Sequence, residues 1–282
     1  MPKVLFLAVH RPNRSPSQRF RFEQYLHFLG QNGFQYNFSY LLNEKEDAFF
    51  YKRGHYIKKF WVIMKGYFIR LKECKNASDY DIIFIQRESF MLGSGFFEKK
   101  FSKSRAKMIF DFDDSIWLQN VSDEKKTLAR LKKPQKTAEI ITYSDLVFAG
   151  NEYLKTYAAK YNSNVIIIPT TIDTNEYVKK NVIKNNNKVT IGWSGSITTT
   201  QHFEYAIAVL KIIKTKYDGL IEIKVIGDSN YKNDDLNIVG KAWNKQTEIE
   251  DLCQFDIGIM PLPDNEWAKG KCGLKGLQYM AL

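Results

Sequence analysis

Cysteine is scarce: the chain has three in 282 residues, Cys74, Cys253 and Cys272, an odd number spread without metal-ligand spacing. That excludes a disulfide framework and a zinc site, and it points to a reducing, cytoplasmic setting. Long apolar runs are missing too. Val4 to Val9 is shorter than a signal-peptide core and no later run approaches a membrane span, so the chain reads as cytoplasmic, or as peripheral on the inner face of the cytoplasmic membrane. No helix-turn-helix, zinc-finger or aromatic RNA-binding signature is evident, which argues against a specific nucleic-acid partner. Negative charge is in short supply, with 31 Asp and Glu against 42 Lys and Arg and a net charge of +11. Such an excess calls for an anionic partner: nucleic acid, lipid headgroups or nucleotide phosphates. What is present is globular. The 44% hydrophobic and 15% aromatic content can fill real cores, and the length suits two domains of ordinary size.

Short apolar runs alternate with helical spacing. Lys3 to Val9 reads as a strand, and Gln18 to Asn32 as a helix through Phe22, Tyr25, Leu26 and Leu29. Further strands are expected at Gln35–Leu41, Asp81–Gln86, Lys107–Phe112, Asp145–Ala149 and Val165–Ile168, a spacing that implies a parallel sheet. Val178 to Lys188, rich in Lys and Asn, has the composition of a linker. A second set follows: a strand ending in I-G-W-S-G-S, another at Leu220–Ile226, a helix at Gln246–Gln254, and a buried strand over Asp256–Met260 closed by prolines. The fold class is α/β, two Rossmann-like domains at 1–180 and 186–282.

Ligands of open α/β sheets bind beyond the carboxyl ends of the strands. Candidates there are Ser15, Ser17, Arg19 and Arg21 after strand one, Gln86, Arg87 and Glu88 after another, and Asp111, Asp113 and Asp114 in F-D-F-D-D-S. Each has a plainer reading: a capped helix start, a surface ion pair, an aspartate N-cap for a helix near Ile116. The Asp-x-Asp also has the form of a divalent-metal site. In the second domain Gly192, Ser194, Gly195 and Ser196 form a turn whose backbone can approach a phosphate or a sugar. Lys269, Lys271 and Lys275 surround a glycine-flanked helix start at Gly273, with Lys271 and Lys275, four apart, expected on one face of its first turn, where a cation is locally unfavourable unless an anion sits there too. Residues 51 to 75 combine Tyr, Phe, Trp and Ile with eight basic residues. They suit either an anionic membrane surface or a core-packed stripe.

The phrase G-K-C-G-L-K-G-L-Q-Y-M-A, together with S-x-R-F-R, Y-D-I-I-F-I-Q-R-E, D-x-D-D, A-G-N-E-Y-L, P-T-T-I-D and I-G-W-S-G-S in that order, resembles the family-4 retaining glycosyltransferases of GT-B architecture. The resemblance is to the branch with a lysine-rich donor loop. It implies an enzyme that moves a sugar from a nucleotide-sugar donor onto a glycan or lipid-linked acceptor in capsule, lipopolysaccharide or similar synthesis. It implies no cofactor and no metal, the nucleotide-diphosphate sugar being a co-substrate. It also places Asp113 at the reacting centre, acceptor contacts at Ser17, Arg19, Arg21, Arg87, Glu88 and Asp114, and donor contacts at Gly192, Ser194, Gly195, Ser196, Lys269, Lys271, Gly273, Lys275 and Gln278. The family's two glutamates fall on Gly270 and Gln278, a departure that keeps open a catalytically weak or inactive sugar-nucleotide-binding relative. A basic membrane-surface or nucleic-acid-binding protein is the remaining alternative. The chain ends inside helix 273–282, where the resemblance implies further elements, so the second domain is expected to be incomplete, with an open sheet edge.

Overall fold

A computed structural model of the chain describes residues 1–118, 133, 135–182 and 187–282. It divides into two units, Met1–Thr170 with Lys269–Cys272, and Thr171–Ala268 with Gly273–Leu282. The division thus falls at Thr170, ahead of the expected 180, and part of the expected linker, 183–186, lies outside the described residues.

The first unit is built on six parallel strands, β1 (Lys3–Leu7), β2 (Gln35–Ser39), β3 (Ile82–Gln86), β4 (Lys107–Phe112), β5 (Leu146–Ala149) and β6 (Val165–Ile167), in the order β2-β1-β3-β4-β5-β6. The central strands read as near-continuous apolar runs because both faces of the sheet are covered. Period-two alternation sorts them: Leu5, Leu7, Ile83, Ile85, Met108, Phe110 and Phe112 fill one face, and Val4, Phe6 and Phe84 the other. The expected helix after β1 is broken into α1 (Pro16–Arg21), a 3-10 turn (Glu23–Tyr25) and α2 (Leu26–Gln31). Phe22, at φ −143°, makes the break. Its ring turns inward and stacks on Phe6 with centroids 5.0 Å apart, so burial of an aromatic overrides helical continuity. Pro16 opens α1, where its missing N–H costs nothing.

Two helices follow β2: α3 (Glu44–Phe50), opened by a capping box of Asn43 and Glu46, and α4 (Tyr56–Lys75). Of the two readings of residues 51 to 75, core packing accounts for one side of α4. That side buries Val62, Gly66 and Arg70, while Ile57, Trp61 and Phe68 on the other are exposed. Fully buried Arg70 is tied to the carbonyls of Ser89 and Ala8, to Ser39 Oγ and to Glu73. α5 (Phe96–Phe101), α6 (Lys136–Tyr143) and α7 (Glu152–Ala158) complete the described helices that pack on the sheet.

The second unit holds three parallel strands, β7 (Val189–Ser194), β8 (Ile221–Ile226) and β11 (Ile257–Gly258), in the order β11-β7-β8. A hairpin of β9 (Lys232–Asn233) and β10 (Ile238–Val239) lies between β8 and β11 in the chain. Trp193, Phe203, Leu210, Val225 and Leu236 form its core. The run Asp256–Met260 was expected to be a buried strand. Only two of its residues pair with β7, at the sheet edge, and Ile257 stays 50% exposed. The helices of this unit are α8 (Ile207–Lys216), preceded by a 3-10 stretch Ile197–Ala206, α9 (Glu248–Leu252) and α11 (Leu274–Ala281), with α10 (Glu266–Lys269) before the last. Gly227 sits at φ 135° with the Gly195 carbonyl where a Cβ would project, so no other residue fits that turn. Among the described residues no helix is long and apolar enough to cross a membrane.

Candidate functional site

Parallel strands deliver their carboxyl ends to one edge, and the register of β3 and β4 sets Gln86 opposite Asp111. The residues just beyond, Arg87 and Asp113, therefore meet. Arg87 reaches Asp113 Oδ1 with Nε at 2.9 Å and Nη2 at 2.8 Å. Ser17, in α1, donates its hydroxyl to the same oxygen at 2.6 Å, and Gln86 Nε2 donates to Ser17 Oγ at 2.6 Å. Among the described residues no hydrogen bond falls on Asp113 Oδ2. Burial works against the charge of Asp113, but Arg87, the Ser17 hydroxyl and Arg21 outweigh it and hold the carboxyl below its ordinary range. For Arg87 burial is likewise the opposing influence, and Asp113 and Asp114 overcome it, so the guanidinium is held more firmly protonated than usual. Arg87 also occupies the left-handed region, φ 62°, with its N–H on the Asp111 carbonyl at 2.8 Å. Strained backbone at a charged cluster is a mark of functional sites.

Behind this pair lies a second. Arg21 Nε reaches both oxygens of Asp111 at 3.1 and 3.2 Å, with Nη2 also on that carboxylate and Nη1 on the Ile168 carbonyl. Both side chains are 1% exposed. Burial lifts the Asp111 carboxyl to about 6 against the pull of Arg21. With its donors spent in this way, Arg21 braces α1 against β4; it was expected among acceptor contacts. The two aspartates of the Asp-x-Asp are thus committed to guanidinium groups. Among the described residues no group of three or more His, Cys, Asp or Glu is placed to hold a metal ion.

The segment Lys269–Cys272 belongs to this unit. Lys271 Nζ lies 2.7 Å from Asp114 Oδ2, and the Cys272 thiol donates to the Asp113 carbonyl at 3.3 Å. Burial pushes that thiol up to about 12, which makes it a packing group and not a nucleophile. Asn151 caps α7 through the Leu154 N–H, and its amide Nδ2 holds the carbonyls of Lys269 and Lys271 at 3.1 and 3.2 Å. Gly270 packs so tightly on Ser115 that a Cβ would collide with Ser115 Oγ and crowd its N–H. Asp114 accepts from the Ser115 N–H at 3.0 Å. Ile116 and Trp117 form a turn, and the continuation of the helix expected there lies outside the described residues.

The remaining expected site residues make contacts of their own. Arg19 is buried with its guanidinium 5.0 Å from the Phe20 ring centre. Glu88 pairs with buried Lys136 at 3.0 Å. In the second unit Gly192 is a packing glycine, since a Cβ would enter the Phe255 ring. The Ser194 N–H donates to Tyr279 Oη at 2.9 Å. Gly195 bonds the Ile226 carbonyl at 2.9 Å, and Ser196 opens the 3-10 stretch in a capping box with Thr199. Lys275 Nζ sits 4.1 Å from the ring centre of fully buried Trp193, a cation–π contact. Gly273, at φ 70°, is the N-cap of α11, so Lys271 precedes that helix, and the two lysines expected on one helical face belong to different units. Gln278 is buried and donates Nε2 to Tyr177 Oη and Glu248 Oε1, both at 3.2 Å. Tyr177 and Trp243 also donate to Glu248, at 2.9 and 3.0 Å. Sequence reasoning missed Glu248, an unremarkable residue of E-I-E-D-L, and missed Asn151, whose place before E-Y-L signalled a helix cap but not its second partner.

No protein-family model matches the chain, and no curated protein matches it in sequence. Solved structures do. A UDP-forming α,α-trehalose-phosphate synthase from Burkholderia xenovorans aligns over 100% of this chain and 81% of its own, with TM-score 0.62 and 9% identity. A trehalose-6-phosphate synthase, studied for glycosyltransfer with retention, aligns over 99% and 80%, at 0.59 and 11%. An α-glucosyltransferase in complex with UDP and a 13-mer DNA aligns over 94% and 73%, at 0.54 and 14%. At these identities the likeness defines the fold: α/β with two Rossmann-like units, the GT-B architecture of glycosyltransferases.

Proposed function

We propose that the chain is a glycosyltransferase that moves a sugar from a nucleotide-diphosphate sugar onto a glycan or lipid-linked acceptor in cell-surface polysaccharide synthesis, with retention at the anomeric carbon. The observation that carries this reading is Asp113. Its carboxylate is kept ionised and fixed through Oδ1 by Arg87 and Ser17, and it stands beyond the strand ends of a fold shared with UDP-using proteins. A carboxylate so fixed can orient or deprotonate an acceptor hydroxyl. Arg19, Glu88 and Asp114 are proposed as the outer acceptor contacts. On the donor side, the start of α11 offers backbone N–H groups and the Lys275 charge to a diphosphate, whereas the N–H groups of Ser194, Gly195 and Ser196 are already bonded to Tyr279, Ile226 and Thr199. The chemistry asks for no cofactor or metal, because leaving-group charge is met by fixed cations and dipoles.

The test is a panel of nucleotide sugars assayed for release of nucleoside diphosphate, with UDP titrated by calorimetry. Stoichiometric UDP binding with turnover supports the reading. Binding without turnover on any donor supports the sugar-nucleotide-binding relative, which is favoured by the commitment of the Gln278 amide to Tyr177 and Glu248. No binding to any nucleotide sets both aside.

A further inference from the structure

We propose that the outer face of α4 is a docking surface for an anionic phospholipid membrane. Ile57, Phe60, Trp61 and Phe68 recur at i, i+3, i+4 and i+11, one stripe of an α-helix, and are 77%, 55%, 66% and 61% exposed. Tyr56 extends the stripe at 74%. This is not a core face left over, because the opposite side of the helix already buries Val62, Gly66 and Arg70. Large apolar side chains exposed in a row mark a surface that is covered in use.

Charge identifies the cover. Lys58, Lys72 and Lys75 are exposed along the same helix, and exposed Lys52 and Arg53 lie just before it. Lys65, on the flank, is already met by Glu46. The single acidic residue of α4, Glu73, is turned to Arg70 at 2.6 Å. The outward face therefore combines aromatic and aliphatic groups with cations and carries no acid of its own. A second copy of this chain, at net charge +11, would bring like charge against it. An anionic bilayer answers both features, because the apolar stripe sinks into the headgroup boundary while the lysines stay with the phosphates. The surface is independent of the transfer chemistry, and its test needs no activity.

The experiment is sedimentation of the full chain with vesicles of phosphatidylcholine alone or mixed with phosphatidylglycerol. Binding is expected to the mixed vesicles, weakening as salt rises, and not to the neutral ones. Ile57→Ser with Trp61→Ser and Phe68→Ser should weaken it at least about tenfold, and Lys58→Gln with Lys72→Gln and Lys75→Gln, which leaves every apolar contact in place, should do likewise. Brominated lipid should quench a fluorescence component that Trp61→Phe removes. Equal sedimentation by wild type and both variants overturns the proposal, as does equal binding to neutral vesicles. Loss of an oligonucleotide complex, or of a concentration-dependent dimer, in these variants without any vesicle binding overturns it in favour of that other occupant.

Discussion

The guanidinium of Arg87 reaches Asp113 Oδ1 at 2.8 Å from a backbone held at φ 62°. Two costs meet at this residue. A left-handed conformation disfavours any side chain with a Cβ by about 1–2 kcal/mol, and a charge is drawn out of water. Both are offset by the charge-assisted contacts with Asp113 and by the Arg87 N–H on Asp111.

Two substitutions separate those terms. Arg87→Ala removes the guanidinium and keeps the strain, whereas Arg87→Gly removes both. The glycine variant is therefore expected to be the more stable by about 1 kcal/mol, read as a higher urea midpoint at unchanged slope. Equal midpoints would show that the left-handed turn stores no strain.

Acid titration distinguishes the two aspartates. Asp113 has a folded-state pKa below its unfolded value, so its ionised form contributes stability above about pH 4, lost as pH falls through the lower, folded value. Asp111 runs the other way: with its carboxyl lifted to about 6, stability declines as pH rises from about 4 to 6. In Asp113→Asn the first contribution is gone and the second remains in smaller measure, because the Asp113 charge is one of the influences that raise Asp111 while burial is the largest. The stability gap between wild type and Asp113→Asn should be steady near neutrality and should close below about pH 4. A gap that stays constant down to pH 2 would show that Asp113 is not the depressed carboxylate.

Much of the frame was legible in the sequence, because a parallel sheet covered on both faces must be spelled in apolar runs such as I-I-F-I-Q and K-M-I-F-D-F. Elements set by their neighbours were not. Helix spacing ran through Phe22, yet stacking on Phe6 broke the helix there, and Asp256–Met260 had the composition of a buried strand but pairs at a sheet edge. The same limit holds at the site. Strand ends pointed to Asp113 and Arg87, while the bond from Ser17, 96 residues away, depends on how α1 folds back over the sheet. Nor did periodicity show that Arg21 is buried against Asp111, or that Gln278 joins a network with Tyr177 and Glu248. Local pattern has no way of registering which polar groups meet in a fold.

Asp113 and Lys275 should fail in different ways if one serves the reacting centre and the other the donor. Asn in place of Asp113 keeps the volume and the Ser17 hydrogen bond but removes the charge. Turnover should fall about a hundredfold or more, with nucleotide-diphosphate affinity nearly unchanged. Lys275→Ala removes the cation over Trp193 and should weaken UDP binding at least about tenfold, equivalent to about 1.4 kcal/mol. Calorimetry with UDP and initial rates under saturating donor read the two effects separately. If Asp113→Asn leaves turnover intact, its carboxylate only braces Arg87 and Ser17. If Lys275→Ala binds UDP as wild type does, the start of α11 is not the diphosphate site.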